Sequence, residues 1–260
     1  VGVQIAYTVS GLAVGFIVGL TGVGGGSLMT PLLVVVFGMN PATAVGTDLL
    51  YASITKSAGA AVHARKGHVD WKLVVALASG SVPAALVTVC ILHMIGVEGR
   101  VASGLITGSL GVAVILTAIA LLFKERLVKL ARTGEVARRW RERHAYRVTA
   151  LTGAIIGVLV TLSSVGAGAL GVTALFWLFP AMATVRIVGS DIAHAVPLTA
   201  VAGLGHFAMG TVDLSLLGAL LLGSLPGIYI GSHLSSRVPE QWLRPALASL
   251  LILVGGKLVL

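Results

Sequence analysis

Long apolar stretches separated by short polar turns run the length of this chain, and most of them are too long for strands. Six reach the roughly 20 residues that a helix needs to cross a bilayer: 41–62, Trp71–Ile95, 99–123, 187–207, 213–235 and 241–259. Four more, at 3–20, 27–37, 148–163 and 168–179, are uncharged but shorter, and they form two close pairs. Residues 3–20 carry no basic segment before them and run straight into a glycine-rich break, so they read as a membrane helix rather than a cleaved leader. The pattern predicts an all-α integral membrane protein, a polytopic helical bundle passing many times through the cell (inner) membrane.

Laying residue n on n+142, and on n+143 beyond about position 45, brings two halves into register. Gly11 and Gly15 meet Gly153 and Gly157; Val23-Gly24-x-Gly26 meets Val165-Gly166-x-Gly168; Gly46-Thr47-Asp48 meets Gly189-Ser190-Asp191. Further on, His63 meets His206, Val69-Asp70 meets Val212-Asp213, and Gly80-Ser81-x-Pro83 meets Gly223-Ser224-x-Pro226. The predicted organisation is a first transmembrane repeat at 1–123, a linker at 124–147 and a second repeat at 148–260. Repeats in a membrane chain point to a transporter with its substrate near the midplane, where the halves meet.

Charge sets the expected orientation, because cytoplasmic loops collect Lys and Arg. Arg65, Lys66 and Lys72 follow the second element of the first half, whereas the matching loop around Gly210 has no cation. Arg237 and Arg244 follow the next helix of the second half, where the first half has Arg100. The alternating bias predicts two inverted repeats, each with a broken, re-entrant helical hairpin. A hairpin arm of about 16 residues rises only ~24 Å, short of the ~30 Å hydrocarbon core, so both hairpin tips are expected deep in the protein.

The composition agrees: 57% hydrophobic, 10% charged, with a mean hydropathy of +1.01. The linker holds nine of the eighteen Lys and Arg residues, which accounts for the net charge of +9 without nucleic acid. Its Leu127, Val128, Leu130, Val136 and Trp140 lie among arginines, as in a helix resting on the anionic cytoplasmic leaflet. Cys90 is the single cysteine, so neither a disulfide framework nor a cysteine metal cluster is expected, and no cofactor or metal is called for.

Backbone that leaves helical geometry at membrane depth must be buried in protein or line a wet cavity. The two breaks are therefore the predicted substrate site: Thr21, Gly22, Gly24, Gly25, Gly26 and Ser27 in one, Ser163, Ser164, Gly166 and Gly168 in the other. Each is followed by a new helix whose first N–H groups are unpaired and partly positive, and glycine lets an anion approach that backbone closely. The upstream glycines, Gly11, Gly15, Gly19, Gly153 and Gly157, have small-xxx-small spacing and read as helix packing. The break is not a nucleotide loop, since Ser27 stands where a third glycine belongs and no Gly-Lys-Ser/Thr follows.

Thr47 and Ser190 add hydroxyls to the expected site, each directly before an acidic residue, Asp48 or Asp191. An intramembrane carboxylate is costly unless paired, neutralised or wet. Two roles are open to this pair: carrying a coupling proton, with His194 one turn after Asp191, or bonding neighbouring hydroxyls structurally. Lys56 has a neutral counterpart, Thr199, and either attracts an anion or snorkels to the cytoplasmic end, with snorkelling the preferred reading. Asp70 and Asp213 precede helices as N-caps do, and His63 and His206 sit at helix ends where packing is expected.

In "GFIVGLTGVGGGSLMTPLL", "GMNPATAVGTDLL" and "HARKGHVDWKLV", echoed by "GVLVTLSSVGAGALGVTALF" and "GSLPGIYIGSHLSSRV", the chain resembles the TauE/SafE sulfite exporters. The resemblance covers nearly everything outside the linker. It implies a secondary transporter, an exporter, of sulfite or small organosulfonate-type anions, coupled to a proton or another ion. The second half departs at Ala167, Ala169 and Thr173, where the first has glycine, serine and proline. Two other classes stay open: an anion channel, and an intramembrane enzyme, for which Ser190, Asp191 and His194 form the available constellation while H-E-x-x-H and G-x-S-x-G are absent.

Overall fold

The computed structural model describes the backbone of residues 2–21, 26–97, 99–132, 135–234 and 240–259. These form ten helices: α1 (Gly2–Thr21), α2 (Gly26–Val35), α3 (Pro41–Arg65), α4 (Trp71–Ile95), α5 (Arg100–Arg132), α6 (Glu135–Ser163), α7 (Ala169–Leu178), α8 (Thr184–Ala208), α9 (Leu214–Leu234) and α10 (Glu240–Val259). No strand occurs among the described residues. The caps follow the sequence. Asn40 accepts from the Ala42 amide with Pro41 opening α3, Asp70 caps α4 through Lys72 and Leu73, and Asp213 caps α9 through Ser215 and Leu216.

Six described helical stretches are long and apolar enough to cross a membrane: Gly2–Leu20, Trp71–Ile95, Arg100–Phe123, Arg143–Ser163, Thr184–Ala208 and Leu214–Leu234. The protein is a multi-pass membrane protein with an apolar exterior and buried charges. Leu151, Ile155, Leu222 and Leu253 are exposed, whereas Asp48, Asp191 and His194 are buried.

Three expectations need correction. The first hairpin arms are not short: α1 has 20 residues, about 30 Å of rise, and the apolar part of α6 has 21, so only α2 and α7, with 10 each, are half-length. Residues 41–62 have the length of a span but fall outside the apolar set, because Thr47, Asp48, Thr55 and Lys56 lie in α3. The basic linker is not a helix of its own: the end of α5 and the start of α6 run through it. Helices of 33 and 29 residues, about 50 and 44 Å, exceed the roughly 30 Å core.

The pairing of helices repeats. α1 packs most extensively on α9 and α4 on α6; exchanging the halves turns one pair into the other, while α3–α8 and α5–α10 map onto themselves. Glycine makes the first two crossings close. A Cβ on Gly11, Gly15 or Gly223 would fall on the backbone of Leu220, Ser224 or Thr8, and one on Gly80, Gly153 or Gly157 on that of Ala150, Leu77 or Ser81. Those contacts also fix direction. Gly11 opposite Leu220 and Gly15 opposite Ser224 make α1 and α9 parallel; Leu77 opposite Gly153 and Ser81 opposite Gly157 do the same for α4 and α6. α3 and α8 are antiparallel, Gly46 meeting His206, Leu50 meeting Gly203 and His63 meeting Gly189. α4 runs with α8, through Ser81–His194 and Val89–Gly205, and α3 runs with α9, through Thr47–Asp213 and Tyr51–Ser224. Thus α1, α3 and α9 share one direction and α4, α6 and α8 the other.

Candidate functional site

The break after α6 is built from residues that accept unusual backbone. Ser164 has φ +57°, Gly166 +122° and Gly168 +141°, and the last two values are strained for any residue with a Cβ. Ser163 stabilises the turn by donating to the Leu159 carbonyl at 2.5 Å and accepting from the Val165 amide at 3.1 Å. Ser163, Ser164 and Val165 are buried. The amides of Gly171 and Val172 are already turned to the carbonyls of Gly166 and Gly168, so the donors left at the start of α7 are those of Ala169 and Leu170. In the other break α1 ends at Thr21 and α2 begins at Gly26; Gly22, Gly24 and Gly25, and the surroundings of Thr21, Gly26 and Ser27, lie outside the described residues.

α3 and α8 carry the charges to this place. The Asp48 carboxylate accepts from the Thr30 hydroxyl of α2 at 2.5 Å and has Ser164 and Lys56 as neighbours. Lys56 does not snorkel: its ammonium donates to the Ala167 carbonyl, inside the second break, at 2.8 Å. Asp191 also faces Lys56, and a Cβ on Gly171 would land on its carboxylate, so glycine in α7 makes the space that the side chain occupies. His194 Nε2 is hydrogen-bonded to Ser81 Oγ at 2.7 Å; the related pair in the other half is Tyr51 beside Ser224. Ser224 is the middle residue of α9 and Ser81 lies near the middle of α4, so these pairs sit about halfway along their helices. Asp48 Oδ1, Asp191 Oδ1 and His194 Nδ1 are buried with no hydrogen-bond partner. Buried polar atoms of that kind are rare, and all three belong to side chains that feel the same Lys56 ammonium.

The other predicted hydroxyls are already engaged. Thr47 accepts from the Asp213 amide at 3.0 Å, and Ser190 accepts from the Asp70 amide at 2.8 Å while donating to the Arg186 carbonyl at 2.7 Å. These are symmetry-related clamps, each holding the N-cap of the other half. Near the second one Arg186 reaches Asp70 at 3.3 Å. His206 is held by Thr211 and the Thr161 carbonyl, and His63 stacks obliquely near His68 with Gly189 against its ring, so both serve helix crossings. On another face of α7, a cavity of about 330 Å³ lies among Ala120, Val148, Thr152, Leu170, Thr173 and Trp177.

Sequence reading missed Thr30, Gly171, Ser81 and Ser224. The last two had a signal, since they match across the repeat. Thr30 and Gly171 had none, because their counterparts are Val172 and Met29.

Residues 7–258 match the family described as Sulfite exporter TauE/SafE. Among curated proteins, the chain is 41% identical over 259 residues to the probable membrane transporter protein YjnA of Bacillus subtilis (strain 168), covering 98% of this chain and 100% of that one. It is 26% identical over 249 residues to YdhB of the same organism, named alike, covering 92% and 96%. A probable membrane transporter protein of Xylella fastidiosa (strain Temecula1 / ATCC 700964) is 28% identical over 235 residues, covering 88% and 84%. No solved structure matches the chain. A match over almost the whole length, together with a membrane bundle of two related halves, makes this chain a membrane transporter of the TauE/SafE sulfite exporter family.

Proposed function

We propose that the protein is a secondary transporter, working as an exporter, for sulfite or small organosulfonate-type anions, which bind between the two glycine-rich breaks near the midplane with a proton as the coupling ion. The observation that carries this reading is the ammonium of Lys56, which donates to the Ala167 carbonyl in the second break and lies within electrostatic reach of Asp48 and Asp191. A lone cation among hydroxyls and helix-start amides attracts an oxyanion, and the flanking carboxyls supply sites for a proton. The halves act as inverted repeats: α1 and α6, α3 and α8, and α4 and α9 each occupy equivalent places and run oppositely. Rocking one half against the other then exposes the site to each side in turn. The linker, 124–147, lies in the cytoplasm.

The reading as an enzyme is set aside, because Ser190 is bonded to backbone groups of Asp70 and Arg186 while His194 is bonded to Ser81. The test is Gly166→Leu in proteoliposomes loaded with radiolabelled sulfite. Transport is abolished while the protein still elutes as a folded species; unchanged transport overturns the site. Conductance above carrier rates would favour a channel, and transport by the unaltered protein that ignores pH would remove the proton.

A further inference from the structure

We propose that Lys56, Asp48 and Asp191 balance charge as a unit, so that one monovalent anion crosses together with one proton and no net charge moves. The inference rests on the anion-transport reading and adds to it the charge of the substrate and the stoichiometry.

The groups that face the cluster come from six places. α3 supplies Asp48, Tyr51 and Lys56; α8 supplies Asp191 and His194; α2 supplies Thr30; the second break supplies Ser164; α4 and α9 supply Ser81 and Ser224. Lys56 is the cation among them, and Thr199, its counterpart, is a neutral residue bonded to the Ala195 carbonyl. Tyr51 is a neutral phenol. His194 shares the Ser81 hydroxyl and feels Lys56, so protonating it would set two cations side by side.

Asp48 and Asp191 are 0% and 1% exposed. Net charge is heavily penalised in such surroundings, so the populated states are those in which the cluster is neutral. When empty, the ammonium is balanced by one carboxylate and the other carboxyl holds a proton. When a monovalent anion is bound, it balances the ammonium itself, and both carboxyls are protonated. The two states differ by one anion and one proton, which therefore enter and leave together. A dianion leaves one negative charge uncompensated even with both carboxyls protonated. Monovalent sulfonates and hydrogensulfite are thus carried in preference to sulfate and the sulfite dianion.

The experiment uses the purified full chain in proteoliposomes, with radiolabelled methanesulfonate as the monovalent probe, sulfate as the dianion, a trapped pH dye, and a potential set by potassium and valinomycin. The expected result is one proton per methanesulfonate, little sulfate uptake, and accumulation unmoved by potential. A carrier moving one net charge would instead change its accumulation by about fiftyfold per 100 mV.

In the double variant D48N/D191N no carboxylate is left to balance the ammonium of the empty cluster, so methanesulfonate still exchanges across the membrane while net uptake is slowed. D48N or D191N alone slows uptake and keeps the ratio at one, since the remaining carboxyl still alternates. K56M loses uptake and K56R recovers it. Potential-driven uptake by the unaltered protein, equal rates for sulfate, or a ratio near zero in a single variant overturns the proposal while leaving anion transport standing. If methanesulfonate, sulfite and sulfate all fail to cross, the transport reading falls and this inference falls with it.

Discussion

Replacing Thr30 by valine removes the hydroxyl that donates to Asp48 and changes little else. The hydroxyl donates to Asp48 Oδ2 at 2.5 Å, both residues are 0% exposed, and the other carboxylate oxygen has no partner. A hydrogen bond to a charged acceptor contributes about 1.5–3 kcal/mol, and one between neutral groups about 0.5–1.5. Thr30→Val alone mixes that loss with the gain from burying a methyl in place of a hydroxyl. The pairwise part comes from a cycle with Asp48→Leu, which has similar shape and no acceptor.

The expected coupling is about 2 kcal/mol, the range for an acceptor that is charged for part of the time. It is measured by unfolding the four proteins in mixed micelles with increasing SDS. The bond also ties α2, the half-length arm of the first hairpin, to α3, so limited proteolysis of Thr30→Val should cut near that hairpin sooner. A coupling within about 0.5 kcal/mol of zero would mean that the two residues are independent, and the reasoning from this contact would be refuted.

Gly171→Ala pushes a Cβ onto the Asp191 carboxylate and is expected to abolish transport with a loss of about 1–3 kcal/mol, whereas Gly108→Ala, which meets open space, should leave transport intact. Gly80→Ala and Gly223→Ala place a Cβ on the carbonyls of Ala150 and Thr8; each should lower the melting temperature by a similar amount, because the two crossings are equivalent. Thr47→Val and Ser190→Ala strand the amides of Asp213 and Asp70, at about 1–3 kcal/mol each; a half-saturation concentration raised beyond what lost protein explains would place those hydroxyls on the anion. Arg186→Gln should cost under about 1 kcal/mol, since the Arg186 side chain is 48% exposed where it meets Asp70, and a larger loss in melting would contradict the view of that pair as solvent-screened.

The bundle was legible because lipid imposes its own rule: only helices and closed barrels satisfy their backbone there, and long apolar helices stand out in any sequence. The repeat was legible because glycines and caps must recur wherever two helices cross in the same way. Lys56 was misread because snorkelling is a property of one helix, whereas its real partner, the Ala167 carbonyl, lies 111 residues away in the other half. The hairpin arms were read as short because charge counting ended the membrane segment at Arg147, while the α6 span begins at Arg143. Thr30 was invisible for a related reason. A single hydroxyl on an apolar half-helix acquires meaning only when folding brings Asp48 to it.

The two halves agree where they serve the frame and differ where they face the centre. Thr47 and Ser190 clamp opposite N-caps, and Ser81 and Ser224 each lie beside a residue of the other half, so the two halves build the frame alike. Around the carboxyls the match fails: Lys56 stands against Thr199, Tyr51 against His194, Thr30 against Val172, and Met29 against Gly171. A fully symmetric centre would carry two ammonium groups or none. Two would balance a dianion once both carboxyls were protonated and so remove the selection by charge, and none would leave the anion without a cation. Divergence at one position gives a single positive charge shared by two acids, which is the arrangement that takes one monovalent anion with one proton and refuses a dianion.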